Sequence, residues 1–351
     1  MFADYRRFFR SGPGFLDTAT YGLPPQVTVN ALTKAIADWN NGEADWFHGW
    51  MGETERARQI FARLIGSDPI RVATGPSTST LVGLVAESLP PGSTVVVPEI
   101  EFTSNLFPYL VQEDRGVKVK LVPCGTIADS IDHDTSLVAL SAVQSSTGAV
   151  ADLKQVYAAA HRHGALVLVD ATQAAGWLPL KMEGVADLLV ASAYKWLLSP
   201  RGAAFMAVSP EATTLLRPIY ANWFAGDVIE ESLYGPPLRL TDKERRLDPS
   251  PAWFSWVGAA ASLDLLEQIG IDSIYAHNVA LATELLERLD QPLPVFPSAI
   301  CSLPVDELNY PRNNRLKASI RDGRLRVSFH LYNTRADVLE AEQIIGPHLD
   351  R

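Results

Sequence analysis

The sequence predicts an α/β protein with a largely parallel sheet, and three observations support this fold class. Seven short apolar runs recur between helical patterns from residue 71 to residue 208. Several of these runs are apolar on both faces, as expected for strands that helices cover on both sides. Helix signals lie between them, such as Asp152 before the pattern Leu153–His163 and Gly164 after it. Strands that alternate with helices are typical of a parallel sheet.

Each element of this fold is assigned from its own pattern. The predicted strands are Arg71–Thr74, Thr94–Val97, Val119–Val122, Leu137–Val143, Ala165–Asp170, Asp187–Ala193 and Ala203–Val208. The predicted helices besides Leu153–His163 are Gln26–Asn40, Glu53–Ile65, Leu81–Leu89, Ser255–Ile269 and Ser273–Leu289.

The pattern changes after Val208, which indicates a second domain. A turn-rich stretch, Ala221–Pro251, is followed by two helices and then by a hairpin signal. In the hairpin, Asp322-Gly323 separates Lys317–Arg321 from Arg324–Tyr332. We therefore predict a large domain over residues 26–236 and a small α+β domain over residues 237–351. The N-terminal segment, residues 1–25, is expected to join the small domain.

Composition limits the classes of function. The chain has 351 residues, a net charge of -10 and a pI near 5.2, which argue against a nucleic-acid or anionic-membrane partner. Its two cysteines, Cys124 and Cys301, cannot build a disulfide framework, so a reducing, cytoplasmic location is expected. No apolar run approaches a membrane span, no signal peptide is recognisable at the N-terminus, and the histidines show no metal-ligand spacing.

Lys195 lies within the otherwise apolar stretch Ala191–Leu198, and Asp170 ends the apolar run Ala165–Val169. Burial makes a lysine lose its proton more easily, so that it can form an imine with an aldehyde. A buried aspartate near it can pair with a protonated ring nitrogen. Together the two residues suggest pyridoxal phosphate (PLP), with the lysine on the aldehyde and the acid on the pyridinium. The alternative is a lysine whose ammonium reaches water at the sheet edge.

The segment Gly75–Thr80 follows a predicted strand and begins a helix, so its amides and hydroxyls can bind an anion. Taken alone, it is explained as well by an ordinary serine or threonine cap. Ser192, three residues before Lys195, can add another hydroxyl for a phosphate.

Six segments together resemble the class V aminotransferase group of fold type I PLP enzymes, which includes cysteine desulfurases, kynureninase and isopenicillin N epimerase. The matching segments are Phe15–Pro25, Gly75–Ser79, Asp170–Gln173, Ala191–Lys195, Leu198–Gly202 and Arg326–Thr334. The resemblance implies Lys195 as the imine lysine, Asp170 on the ring nitrogen and Gln173 on the phenolic oxygen of the cofactor. It also implies that Ser77, Thr78 and Ser192 bind the phosphate. Arg326 would hold the substrate carboxylate as a bidentate fork.

Three further positions follow from the same resemblance. Phe102 stands where desulfurases have the histidine that stacks on the ring, and Ser145 replaces their asparagine below the cofactor. Ser250 corresponds to a hydroxyl that reaches the phosphate of the neighbouring subunit, because these enzymes are homodimers with shared active sites. Two aromatic groups, one around Trp46 and one around Trp223, either pack in the core and dimer interface or line a substrate pocket.

Departures from the family pattern narrow the predicted reaction. Desulfurases carry a nucleophilic cysteine shortly before the carboxylate arginine, but no cysteine lies between Val305 and Arg326. We therefore expect an enzyme that acts at the α-carbon of an amino acid but is not a true desulfurase. The aminotransferase reaction is favoured because it needs no extra catalytic group. A lyase comes second, and kynureninase-like hydrolysis, racemisation or epimerisation, and a catalytically silent PLP-binding protein remain open.

Overall fold

The computed structural model describes residues 5–10, 14–305 and 315–349. The helices of at least two turns are α1 (Gln26–Asn41), α2 (Met51–Ile65), α3 (Thr78–Ser88), α4 (Thr103–Leu110), α5 (Leu153–Arg162), α6 (Trp253–Ile269), α7 (Ile271–Arg288) and α8 (Arg335–Ile345). The strands are β1 (Val72–Gly75), β2 (Thr94–Pro98), β3 (Lys118–Val122), β4 (Thr135–Ser141), β5 (Leu166–Asp170), β6 (Leu188–Ser192), β7 (Ala204–Val208), β8 (Ile300–Leu303), β9 (Ser319–Arg321) and β10 (Arg324–Ser328).

Among the described residues, seven strands form one sheet in the order β1-β7-β6-β5-β4-β2-β3. Strand β7 pairs antiparallel with β1 and β6, and the other pairs are parallel. The predicted α/β fold with a mostly parallel seven-stranded sheet is confirmed. Each predicted strand end lies within about two residues of the observed one, which is the usual uncertainty of a strand boundary.

Helices cover both faces of this sheet. In β5, Val167 and Val169 join a core that includes residues of α2, α5 and α6. The side chain between them, Leu168, joins a second core with residues of α3 and α4. Since successive strand residues point to opposite faces, a strand buried on both sides must be apolar throughout. This explains the continuous apolar runs in the sequence.

A second, antiparallel sheet has the order β8-β10-β9. The predicted hairpin is confirmed, because Asp322 and Gly323 connect β9 to β10 with φ angles of +50° and +70°. Two positive φ values in a two-residue loop are typical of a type I′ turn, which favours Asp-Gly. The small sheet shares a core with α7 and α8.

The N-terminal segment lies against the small sheet. Phe15 forms a bridge with Lys317 and Asp17 with Ser328, and Leu16 packs in the same core as Leu325. Helix α6 packs instead against α1 and α2, where the Thr28 and Ser262 hydroxyls lie 2.6 Å apart. The domain boundaries at residues 25 and 236 stay a prediction. No helix in the described ranges is long and apolar enough to cross a membrane.

Candidate active site

An open cavity with about 550 Å³ of empty space lies at the carboxyl ends of the parallel strands. Segments that follow β1, β2, β4, β5 and β6 contribute to its wall, at the edge where ligands bind in open α/β sheets. The lining residues are Pro76, Ser77, Thr78, Ser79, Phe102, Ser104, Ser141, Ser145, Asp170, Thr172, Gln173, Ser192, Tyr194, Lys195 and Arg201. The cavity thus brings together most of the site residues predicted from sequence.

Lys195 lies in the turn after β6 and is buried, with 5% of its surface exposed. Burial lowers the pKa of Lys195 to about 8, although the charge of Asp170 opposes the shift. The turn is held in place on both sides of the lysine. Gly22 donates a backbone hydrogen bond to the Tyr194 carbonyl (2.9 Å), and the His330 ring donates to the Trp196 carbonyl (3.0 Å). The result is a nucleophilic amine in a fixed position.

Asp170 is the last residue of β5, and its carboxylate accepts a hydrogen bond from the Thr172 amide at 2.8 Å. Burial raises the pKa of Asp170, while the hydrogen bonds from Thr172 and the charge of Lys195 oppose that shift. A buried carboxylate that borders a cavity is stabilised by a cation placed there. A protonated ring nitrogen is such a cation.

A cluster of hydroxyls lies where α3 begins. The Thr78 hydroxyl is 2.9 Å from the Thr172 hydroxyl and 2.8 Å from that of Ser192, which also accepts from the Thr78 amide. Ser77 caps the helix by accepting from the Thr80 amide. The serine cap is therefore confirmed, and Ser77 and Thr78 also line the cavity, while anion binding by this segment stays a prediction.

Both amide hydrogens of Gln173 and its amide oxygen form hydrogen bonds within the protein. Its amide nitrogen donates to the Ala19 carbonyl and to the Ser145 hydroxyl, both at 3.0 Å. Its amide oxygen accepts from the Trp196 indole at 2.7 Å. Ser145 therefore connects the segment after β4 with the segment after β5.

Arg326 lies behind Ser145 rather than in the cavity wall. Its guanidinium donates to the Ser145 carbonyl (2.8 Å), the Ser145 hydroxyl (3.2 Å) and the Thr20 hydroxyl (2.7 Å). Asp17 lies 3.5 Å away as its carboxylate partner, and Nε is buried without a hydrogen-bond partner among the described residues. Burial lowers the pKa of Arg326 to about 10, a shift that Asp17 opposes.

Phe102 lies beside Lys195. Its ring centroid is 5.4 Å from Lys195 Nζ, and the residue is 45% exposed and lines the cavity. Ser250 is not in this cavity. It lines a small neighbouring cavity together with Gly75 and Pro76.

The two aromatic groups lie together but away from Lys195. Trp46 contacts Trp223 with ring centroids 6.1 Å apart and also packs near Trp253. None of the three is among the described residues that line the cavity. Cys301 is buried in β8 with its pKa raised to about 12 by burial, and Cys124 lines a different cavity.

Glu101 and Arg201 are among the residues near the site that sequence reasoning did not single out. The buried Glu101 carboxylate accepts from the Phe102 amide (2.8 Å) and the Ser141 amide (2.7 Å), and burial raises its pKa to about 7. Arg201 lines the cavity and its guanidinium lies 5.0 Å from the Tyr194 ring centroid. An acid directly before Phe102 at a strand end was the available signal for Glu101.

Comparison with known proteins identifies the family of this chain. Residues 15–298 match the aminotransferase class-V family. The chain is 26% identical to a probable cysteine desulfurase of Methanothermobacter thermautotrophicus, covering 96% of this chain and 94% of the relative. It is 31% identical to the uncharacterized aminotransferase YcbU of Bacillus subtilis, covering 73% and 71% respectively.

The same fold occurs in solved structures. The cystine C–S lyase C-DES in complex with cysteine persulfide has a TM-score of 0.87 at 19% identity, with 97% of this chain and 99% of that chain covered. A C-DES mutant with glycine covalently linked to its PLP cofactor has the same TM-score, at 98% and 99% coverage.

The donor set of the cavity matches what PLP requires. Lys195 offers an amine, Asp170 a buried carboxylate, and the start of α3 offers hydroxyls and amides for a phosphate. In the described residues, no group of three or more histidine, cysteine, aspartate or glutamate side chains is arranged to hold a metal ion. The chain belongs to the class V aminotransferase family of PLP-dependent enzymes.

Proposed function

We propose that this enzyme acts at the α-carbon of an amino acid, with transamination as its reaction. The observation that carries the proposal is the position of Lys195. Its amine lies in a cavity with the buried Asp170, and its pKa is lowered to about 8. A lysine in this state attacks aldehydes and accepts protons near neutral pH.

When bound, PLP supplies an aldehyde that reacts with amines and a ring that accepts electrons. Lys195 would hold the cofactor by its aldehyde and would accept the proton from the substrate α-carbon. Asp170 would keep the ring nitrogen protonated, because a buried carboxylate is stabilised by a cation beside it. Phe102 would pack against the ring. Its aromatic side chain offers area for stacking but cannot transfer a proton.

The phosphate is held by the hydroxyl cluster at the start of α3. Ser77, Thr78 and Ser192 supply hydroxyls, and the first amides of the helix add donors and the positive end of its dipole. Thr172 belongs to the same cluster, since its hydroxyl accepts from the Ser192 amide at 3.0 Å. Ser250 is proposed to act across a dimer interface, on the phosphate of the neighbouring subunit.

Arg326 binds the α-carboxylate of the substrate. Its guanidinium carries a full charge near neutral pH, and its Nε has no protein partner in the described structure. A carboxylate at this position would replace the weak contact with Asp17, which is 3.5 Å away. Arginine suits this role because its planar fork donates two parallel hydrogen bonds to a carboxylate.

We propose further that the enzyme is not a persulfide-forming desulfurase, although several relatives carry that name. Neither cysteine lines the cavity of Lys195, and Cys301 is buried with its thiol donating to the Ala282 carbonyl. Lyase chemistry at a carbon–sulfur bond is the second candidate, because it requires no cysteine nucleophile and C-DES is such an enzyme. Epimerisation and kynurenine-like hydrolysis use the same residues and rank below it.

An amino-acid panel tests these proposals. Each amino acid is added to the PLP-loaded protein with a keto-acid acceptor, and the visible spectrum and the products are followed. Transamination converts the acceptor to an amino acid, whereas elimination releases ammonia with pyruvate. The variant Lys195→Ala should show neither the borohydride-sensitive absorbance nor turnover. Full turnover by Lys195→Ala would contradict the mechanism, and no spectral response to any amino acid would favour a silent PLP-binding protein.

The assembly is proposed to be a cytoplasmic homodimer with shared active sites. Light scattering on the purified protein measures the dimer. Mixing Lys195→Ala and Ser250→Ala subunits tests whether the two subunits share each active site. In a mixed dimer, one site would combine the unaltered Lys195 of one subunit with the unaltered Ser250 of the other, so that site should regain activity.

A further inference from the structure

The hydrogen bonds around Gln173 leave none of its amide hydrogens free for the cofactor. An indole N–H is a donor only, so the contact with Trp196 Nε1 (2.7 Å) identifies the accepting atom of the amide as Oε1. The orientation of the amide is therefore fixed. The nitrogen then uses one hydrogen for the Ala19 carbonyl and the other for the Ser145 hydroxyl.

The Ser145 hydroxyl is in the opposite situation. A hydroxyl has two acceptor positions and one hydrogen, and here Gln173 Nε2 (3.0 Å) and Arg326 Nη1 (3.2 Å) donate to its oxygen. Both acceptor positions are therefore filled. In the part of the chain that the structure describes, no residue accepts the Ser145 hydroxyl hydrogen, and Ser145 lines the cavity together with Lys195 and Asp170.

We propose that Ser145, rather than Gln173, donates the hydrogen bond to the phenolic oxygen of PLP, and that Gln173 is a positioning residue. This inference rests on the proposed roles of Lys195 and Asp170. Lys195 and Asp170 in those roles set where the aldehyde carbon and the ring nitrogen of PLP would lie. The phenolic oxygen of PLP is bound to the ring carbon next to the one that carries the aldehyde.

Two donors on one hydroxyl also strengthen that hydroxyl as a donor. Arg326 is charged, and a hydrogen bond from a charged group polarises the O–H bond that it contacts. Gln173 fixes the direction of the hydroxyl and Arg326 increases its donor strength. Arg326, which is proposed to bind the substrate carboxylate, is thereby in direct contact with Ser145, which is proposed to donate to the cofactor.

The test is a pH titration of the visible absorbance of the PLP-loaded protein. A donor to the phenolic oxygen favours the deprotonated chromophore, so its loss should move the absorbance transition to higher pH. For Ser145→Ala we expect a shift of about one to two pH units, the size of one hydrogen bond to a charged group. Ser145→Thr retains the hydroxyl and should keep the original transition. Ser146→Ala is the matched control, because Ser146 does not line the cavity among the described residues.

Gln173→Leu separates the two candidate donors. If Ser145 donates, this variant shifts the transition less than Ser145→Ala does, and the double variant shifts no further than Ser145→Ala alone. A large shift for Gln173→Leu with none for Ser145→Ala would overturn the inference and leave the proposed function intact. Absence of any borohydride-sensitive absorbance in the unaltered protein would overturn both.

Discussion

Replacing Asp248 by asparagine should destabilise the protein strongly, because Arg58 loses the buried one of its two carboxylate partners and keeps only Glu55, whose side chain is 42% exposed. The Asp248 carboxylate is fully buried and lies 2.6 Å from Arg58 Nη2, whose side chain is 3% exposed. The same carboxylate accepts from the Thr74 amide (2.7 Å) and the Thr74 hydroxyl (2.8 Å). An asparagine has one acceptor oxygen, so in either orientation its NH₂ group faces a donor.

The expected loss follows from this geometry. Removing one partner of a buried ion pair costs about 3–5 kcal/mol. For a chain of 351 residues, an unfolding entropy of about 2.1 cal/mol/K per residue converts this to a decrease of about 4–7 °C in the thermal midpoint. Thr74 directly precedes the loop that begins α3, so we also expect weaker PLP binding.

The assay is thermal unfolding of the PLP-saturated protein by calorimetry. Glu267→Gln is the matched control, because Arg63 and Glu267 form an equally short pair (2.6 Å) at the surface, worth about 0–1 kcal/mol. Adding Arg58→Met to Asp248→Asn removes the buried guanidinium that only the half-exposed Glu55 would then balance, so the double variant should be no less stable than Asp248→Asn. If Asp248→Asn is no less stable than Glu267→Gln, the reasoning from burial is refuted.

Three further outcomes are expected. Thr78→Val should raise the dissociation constant for PLP about tenfold in a spectral titration, since one net hydrogen bond is lost; an unchanged constant would exclude a phosphate contact. Covalent capture of PLP by the apoprotein should accelerate through pH 8 and level off, because burial lowers the pKa of Lys195 to about 8; a rate still rising at pH 10 would contradict this. Burial lowers the pKa of His330 to about 4. The neutral His330 ring therefore stabilises the folded state above pH 6.5, and this stabilisation is lost as the pH falls through 4. His330→Gln should abolish that acid-dependent loss of about 3 kcal/mol in denaturant titrations, and an unchanged pH profile would contradict the assignment.

The sequence was sufficient for the fold, and most of the site residues that it proposed line one cavity. Strands buried on both faces must be apolar throughout, so β5 and β6 were visible as short runs and their ends marked where the cavity lies. Lys195 and Asp170 were recognisable because each is a charge at the edge of an apolar run. The Asp322-Gly323 turn was readable because positive φ angles favour these residues.

The tertiary structure decided what the side chains do to one another. Glu101 was missed because its partners, the Ser141 amide and hydroxyl, are 40 residues away in sequence and meet it only when β2 and β4 pair. The sequence placed Gln173 on the cofactor. Its contacts with Ala19, Ser145 and Trp196 come from separate segments, and no local pattern shows that they use both amide hydrogens.

What the sequence determined by itself was the layered sheet and the choice of Lys195 and Asp170 as candidate site residues, because burial along a strand and charge within an apolar run are local properties. What only the tertiary structure decided was the pKa of that lysine, the ion pair of Arg326 with Asp17, and the free hydrogen of Ser145. Each depends on burial and on donors and acceptors brought together from distant parts of the chain, and these are properties of the packed molecule.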